Sequence, residues 1–186
     1  MDPEEFRVAG HELIDWIADY RASIEDRAVR AQVEPGEVKG RLPVVPPAAP
    51  ETFDALLADL DRIVVPGVTT VQHPMHFGWF PSNASLSSVL GDIASSGIGS
   101  LGISWESSPA LTEVEEVVCD WMRQLVGLSG SWSGTIQDTA SSACVVALLC
   151  ARERSSEFSE AAGGLQAASA PLVAYTTDQA HSLSLI

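Results

Sequence analysis

Leu172-Val173-Ala174-Tyr175-Thr176-Thr177, followed by Asp178-Gln179-Ala180-His181, is the stretch whose reading decides the fold. Its first six residues are rich in β-branched and aromatic side chains, the composition of a strand, and the polar tetrapeptide closes them. A strand cannot pair with itself, so this one implies a larger sheet. In α/β folds ligands gather at strand C-termini. A histidine there can stack on a flat ring or move protons, and it can equally be a solvated or hydrogen-bonded loop residue. Five residues follow His181, so the expectation is the front part of an α/β fold.

Working outward, the rest of the chain reads as helical. Asp2 can cap a first helix, with Pro3 at its first position and Glu5 three residues after the cap. Phe6, Ala9, Leu13, Ile17, Tyr20 and Ile24 then recur at gaps of three and four, one apolar stripe running to about Arg27. The segment from Val33-Glu34-Pro35-Gly36 to Leu42-Pro43-Val44-Val45-Pro46-Pro47 is a proline-rich connector, expected to be extended. A second helix is expected over 52–63, with Phe53, Leu56, Leu57, Leu60 and Ile63 on one side, stopping before Pro66-Gly67. A third is expected over 84–98. Ser108-Pro109 opens a fourth, whose stripe of Leu111, Val114, Val118, Trp121 and Leu125 ends at Gly127. A buried fifth helix is expected over 143–151, and 155–171 as a loop or frayed helix. Five helices and one clear β-strand result, divided into an N-terminal helical segment, 1–83, and the first part of a larger domain, 84–186.

Composition narrows the function classes. An apolar fraction of 46% over 186 residues supports a packed protein. A formal charge of -15, with no basic cluster, repels phosphate backbones and anionic lipid, so neither nucleic acid nor membrane is the expected partner. No apolar run reaches the roughly 18 residues of a spanning helix, and Met1-Asp2-Pro3-Glu4-Glu5 has the wrong charge for a secretion signal. The cytoplasm is the expected compartment. Cys119, Cys144 and Cys150 lie in apolar helical stretches without metal or disulfide spacing and read as buried reduced thiols.

Three segments carry candidate chemistry. Asp138-Thr139-Ala140-Ser141-Ser142 precedes an apolar helix, where free N–H groups and hydroxyls at the positive end of the helix dipole suit a single phosphate. The same residues also make an ordinary Ser/Thr N-cap, and Asp138 would repel a phosphate if it pointed inward. His73-Pro74-Met75-His76-Phe77-Gly78-Trp79-Phe80-Pro81 concentrates aromatic and imidazole rings, as a pocket for an aromatic ligand or a hydrophobic seam would. His73 and His76 lack a third metal ligand, so no metal site is expected. Leu101-Gly102-Ile103-Ser104-Trp105 admits the same two readings.

Together these segments resemble the N-terminal part of the pyridoxal-phosphate-dependent (group II) decarboxylases of the aromatic-L-amino-acid type. The resemblance rests on Val33-Glu34-Pro35-Gly36, Phe77-Gly78-Trp79-Phe80-Pro81-Ser82, Ser104-Trp105 with Ser108-Pro109, Thr112-Glu113-Val114-Glu115, Asp120-Trp121, Ile136-Gln137-Asp138-Thr139-Ala140-Ser141 and Tyr175-Thr176-Thr177-Asp178-Gln179-Ala180-His181-Ser182, and on their order and spacing. It implies a fold-type I transferase-like parent fold and pyridoxal 5'-phosphate as cofactor. By the same resemblance Thr139, Ala140 and Ser141 bind the cofactor phosphate, and His181 is the catalytic histidine that stacks on the pyridine ring. Trp79, Phe80, Pro81 and Ser82 line the substrate pocket, while Leu101 and Ile103 reach into a neighbouring subunit's site. The first two helices wrap around the partner of a homodimer, and the substrate is an L-amino acid.

The chain also departs from the family pattern. Tyrosine is more usual at Trp79 and phenylalanine at Ile103, which bears on the substrate. Lys39, the one lysine, matches no catalytic position of the family. The expectation is therefore that these residues alone supply half a site and no turnover. The alternatives are a non-catalytic dimerisation module, or part of a related enzyme that forms an aldehyde or uses a non-aromatic amino acid.

Overall fold

Asp2 starts the first helix by the reciprocal arrangement its sequence promised. Its carboxylate accepts from the N–H groups of Glu4 and Glu5 at 2.8 and 2.9 Å, while the Glu5 carboxylate accepts from the Asp2 N–H at 2.7 Å. Three backbone donors that helix geometry would orphan are thereby satisfied. The structure is a computed structural model that describes residues 1–79, 84–158, 163–167 and 171–181. Its chain divides into two compact units, Met1–Ala94 and Ser95–Ile186.

In the first unit, α1 (Pro3–Ala22) gives way at Ser23 to a tighter 3-10 turn, Ile24–Asp26. The Ser23 hydroxyl donates to the Asp19 carbonyl at 2.8 Å, a back-bond that competes with helix continuation. The helical path thus reaches the expected Arg27, with α-geometry ending five residues earlier. Trp16 stacks on Tyr20, and the Arg27 guanidinium lies 4.6 Å from the Tyr20 ring centroid.

The connector is less extended than its prolines imply. Gly36, at φ +92°, lets the chain turn into a short helix, α2 (Glu37–Arg41), closed by Gly40 N–H to the Gly36 carbonyl at 2.8 Å. α3 (Phe53–Asp59) starts on Thr52, whose hydroxyl oxygen accepts from the Ala55 N–H. It widens into a π-helical turn, Leu60–Val64, and ends as a 3-10 turn, Val65–Gly67. Ile63, only 3% exposed, joins Ala9 and Ile24 as the buried apolar side chains of the described residues. Thr70 ties the unit together: its N–H donates to the Val29 carbonyl and its hydroxyl to the Ala28 carbonyl, both at 2.8 Å.

α4 (Leu86–Ile98) carries the boundary between the units. The second unit holds α5 (Pro109–Leu125), α6 (Ala140–Ser155) and a 3-10 turn, Gly164–Ala167. α5 closes with Gly127 at φ +74°. The Gly127 N–H donates to the Gln124 carbonyl and the Leu128 N–H to the Arg123 carbonyl, each at 3.0 Å, which is the Schellman arrangement. α6 begins three residues before its expected start, because Thr139 rather than a later residue is the cap.

Two expectations are corrected. No strand forms among the described residues, and Leu172-Val173-Ala174-Tyr175-Thr176-Thr177 is irregular, with Val173 70% and Tyr175 95% exposed. Strand propensity measures fit to a pleated, half-buried surface, and without a ladder partner there is no strand. Nor are the cysteines all buried: Cys119 is half-buried, and Cys144 and Cys150 are exposed free thiols. The fifth helix, expected to be buried over 143–151, has no buried residue, and its cysteines share the exposure of Val145, Leu148 and Leu149.

Candidate functional site

Thr139 sits at the N-cap of α6 in extended conformation, φ -144° and ψ 162°. Its Oγ1 accepts from the Ser142 N–H at 3.1 Å and lies 3.1 Å from the Ser142 hydroxyl oxygen. Its own carbonyl accepts from the Ala143 N–H at 3.0 Å. The cap therefore takes the third N–H of the helix, and the first two, on Ala140 and Ser141, have no partner within the helix. Ala140 and Ser141 are both exposed. Two N–H groups and the Ser141 hydroxyl at the positive end of a 16-residue helix are chemically matched to a tetrahedral anion. N-cap and anion site, alternatives in the sequence, are thus compatible, because they use different donors.

Asp138 stands beside this turn. The Ser142 hydroxyl holds its carboxyl below the usual carboxylate range; burial opposes this, and the backbone N–H groups of Asp138 and Thr139 add smaller effects in the lowering direction. Two residues upstream the chain is fastened to α5. Glu115 Oε1 accepts from the Thr135 hydroxyl at 2.7 Å and from the Ile136 N–H at 2.8 Å. The Ile136 N–H first, and Thr135 second, lower the Glu115 carboxyl below its ordinary range. Glu115 had no signal of its own in the sequence. Its partners lie 20 and 21 residues away, beyond any helical spacing.

The remaining candidates are placed as follows. His181 follows a turn closed by the Ala180 N–H to the Thr177 carbonyl at 3.1 Å, in the same unit as Thr139, and is exposed. Leu101 and Ile103, exposed, belong to the loop between α4 and α5 in that unit. Trp79 belongs to the first unit, 78% exposed, at φ +50°. Phe80, Pro81 and Ser82 lie outside the described residues. His76 faces Trp79 with ring centroids 5.8 Å apart, and its Nε2 is buried without a hydrogen-bond partner. His73 is different: Nδ1 accepts from the Met75 N–H at 2.9 Å, so the proton sits on Nε2, which donates to the Glu25 carbonyl at 3.2 Å. That imidazole is a structural tie with both nitrogens committed. A cleft lined by Arg41, Arg62 and Ile63 in the first unit includes none of these residues.

The start of α6 thus offers hydrogen-bond donors suited to an anion, and the remaining candidates are distributed over both units. Residues 35–184 match the pyridoxal-dependent decarboxylase conserved domain, and the chain belongs to that family. It is 42% identical to the aromatic-L-amino-acid decarboxylase of Bos taurus over 98% of this chain and 40% of that protein. It is also 42% identical to the phenylacetaldehyde synthase of Arabidopsis thaliana, over 98% of this chain and 37% of that one. The crystal structure of Catharanthus roseus tryptophan decarboxylase in complex with L-tryptophan superposes with a TM-score of 0.78 at 36% identity, covering 84% of this chain and 35% of that one. The chain thus spans about two fifths of the length of the curated relatives it matches, and it shares their fold over that part. No helix among the described residues is long and apolar enough to cross a membrane.

Proposed function

We propose that these residues form the phosphate grip, ring-stacking corner and part of the substrate wall of a fold-type I, pyridoxal-phosphate-dependent decarboxylase acting on an aromatic L-amino acid. The observation that carries the reading is the first turn of α6, where two uncommitted N–H groups and a hydroxyl stand at the positions the family resemblance assigns to the phosphate. Ala140 and Ser141 donate to the phosphate, and Thr139 holds the turn open for it. His181 would stack on the cofactor's ring. Trp79, Phe80, Pro81 and Ser82 contribute to the wall around the substrate side chain, while Leu101 and Ile103 reach into the neighbouring subunit's site. When bound, the cofactor supplies the electron sink for the electron pair released with carbon dioxide.

The whole enzyme is proposed to be a cytoplasmic homodimer associating through α1 and α3. Phe6 and Val8 on α1 and Leu56 on α3 are exposed, which supports that association. The free thiols of Cys119, Cys144 and Cys150 fit a reducing compartment. The proposed large-domain portion starts near residue 84, after the helical segment 1–83. Lys39, exposed on α2, gives these 186 residues no family lysine position, so no turnover is expected from them alone.

Equilibrium dialysis of the protein against pyridoxal 5'-phosphate and against unphosphorylated pyridoxal tests the grip. The phosphorylated form should bind at least about ten-fold tighter, since charge-assisted hydrogen bonds contribute on the order of 1.5–3 kcal/mol each. Equal affinities would refute the reading. A second outcome for the reaction, aldehyde in place of amine, is favoured by the equal similarity to the phenylacetaldehyde synthase. Mass-spectrometric identification of the product made by the whole enzyme from L-tryptophan, L-tyrosine and L-phenylalanine separates amine from aldehyde.

A further inference from the structure

We propose that Glu115 is a positioning residue for the cofactor phosphate: from α5 it fixes the segment that leads into the α6 cradle. The proposal rests on the reading of that cradle as the phosphate grip. A single carboxylate oxygen receives both the Thr135 hydroxyl and the Ile136 N–H, at 2.7 and 2.8 Å, so the segment is held at a side chain and at the backbone together. One turn further along the same face of α5, Cys119 packs against Gly134: a Cβ at Gly134 would meet the Cys119 Cβ at 3.8 Å and its Sγ at 3.9 Å. The segment 134–136 is therefore laid along α5 at two successive turns. Only Gln137 and Asp138 separate this fastening from Thr139, and three residues of chain span at most about 10 Å. A shift at Ile136 is thus transmitted to the cap, whose side chain must stay 3.1 Å from the Ser142 N–H for the first turn to keep its shape.

Charge and position make opposite predictions, which is what separates them. As a bare negative charge near an anion site, Glu115 would weaken phosphate binding, and removing the charge would strengthen it. As a positioning acceptor it aids binding. Glu115→Gln keeps an oxygen at the same reach and should then behave as the wild type, while Glu115→Ala loses both bonds.

The test measures pyridoxal 5'-phosphate affinity of the full chain by dialysis, with hydrogen–deuterium exchange over 134–143, in the wild type, Glu115→Ala, Glu115→Gln and Ser141→Ala. Glu115→Ala should lose roughly five-fold or more in affinity, with faster exchange at Ile136 and at Ser142; Glu115→Gln should stay within about two-fold on both. Ser141→Ala should lose affinity with Ile136 exchange unchanged. If Ser141→Ala binds poorly while Glu115→Ala binds as the wild type, the positioning role is overturned and the phosphate reading stands. If Glu115→Gln binds more tightly than the wild type, Glu115 acts by charge and the proposal is overturned. If neither Ser141→Ala nor removal of the cofactor's phosphate changes affinity, the phosphate reading fails and takes this inference with it, whatever the exchange at Ile136 shows.

Discussion

Replacing Thr139 by alanine removes the cap to the Ser142 N–H and the hydroxyl–hydroxyl contact with Ser142, and leaves the backbone bonds at the start of α6 in place, which makes it a probe of the proposed cradle. Thr139 Oγ1 is the acceptor for the Ser142 N–H at 3.1 Å, and the backbone at 139 is already in the extended conformation an N-cap needs. Alanine tolerates that backbone, so the cost is the lost cap, about 1 kcal/mol. That corresponds to a roughly five-fold rise in the opening equilibrium of the first turn. The remaining turns of the 16-residue helix keep their own i to i-4 bonds, so the effect should be confined to the amides of Ser142 and Ala143. Hydrogen–deuterium exchange with residue-level resolution measures this directly. Thr139→Ala should exchange about five-fold faster at those two amides, and Thr139→Ser should return within about two-fold of the wild type, since a serine oxygen caps equally well. Pyridoxal 5'-phosphate affinity should fall in parallel in the alanine variant, because the Ala140 and Ser141 N–H groups converge only when the turn is formed. Unchanged exchange in Thr139→Ala would refute the capping geometry. Faster exchange with undiminished affinity would refute the claim that the cap prepares the cradle.

Gly127→Ala should destabilise the second unit by about 1 kcal/mol in urea unfolding, because φ +74° strains an L-residue while no neighbour lies within 4 Å of the added methyl. In the first unit, Gly67→Ala places a Cβ 2.8 Å from Val38 Cγ2; it should destabilise, and Val38→Ala should recover part of the loss, a non-additivity that a double-mutant cycle reads as a nonzero coupling. Asp120 is held below the ordinary carboxylate range chiefly by the Arg123 guanidinium, 2.7 Å away, and then by the Gln124 amide. A depressed folded-state pKa contributes stability above the unfolded-state value and loses it as the pH falls through the folded one. Acid titration of α5 by circular dichroism should therefore show a transition below about pH 4 that Asp120→Asn reduces; an identical acid limb in the variant would refute the contribution.

The parts legible in the sequence are those fixed within a few residues of chain. The Asp2–Glu5 capping box, the proline start and glycine stop of α5, and the helix over most of 84–98 follow from local donors, acceptors and backbone preferences, and the structure holds all of them. Parts decided by distant chain were not legible. The segment 172–177 has the side chains of a strand, yet a strand is a property of two segments, and among the described residues none pairs with it and Tyr175 is exposed. α2 is not legible because Pro35-Gly36 stands in a proline-rich connector expected to be extended, although a left-handed glycine also starts a new turn. Of the proposed site, Thr139, Ala140 and Ser141 stand before an apolar run, a position that suits an ordinary N-cap as well as an anion, and the family resemblance is what points them to a phosphate. Glu115 did not, since nothing in Thr112-Glu113-Val114-Glu115 distinguishes one glutamate from the other. In the folded chain they part company: Glu113 takes the Trp105 indole N–H, and Glu115 takes the segment before the cradle.

Glu115 on α5 and Asp138 just before α6 bear on whether an anion can occupy the proposed cradle. Both are held in their charged form, and left unscreened each would repel a phosphate by the same Coulomb law that draws the phosphate to the helix. The structure gives each its own donors. The charge of Glu115 is stabilised by the Ile136 N–H and the Thr135 hydroxyl, and that of Asp138 chiefly by the Ser142 hydroxyl. Neither draws on the N–H groups of Ala140 and Ser141, and the Thr139 cap takes only the Ser142 N–H. Hydrogen-bond capacity at the head of α6 is thus partitioned: the groups that organise the turn are satisfied within the protein, while the two most terminal N–H groups and the Ser141 hydroxyl stay uncommitted. Asp138 still shares the helix dipole with any incoming anion, so the cradle as proposed would favour a ligand whose charge exceeds one and whose oxygens can bridge both N–H groups, as a phosphate monoester does and a carboxylate does less well.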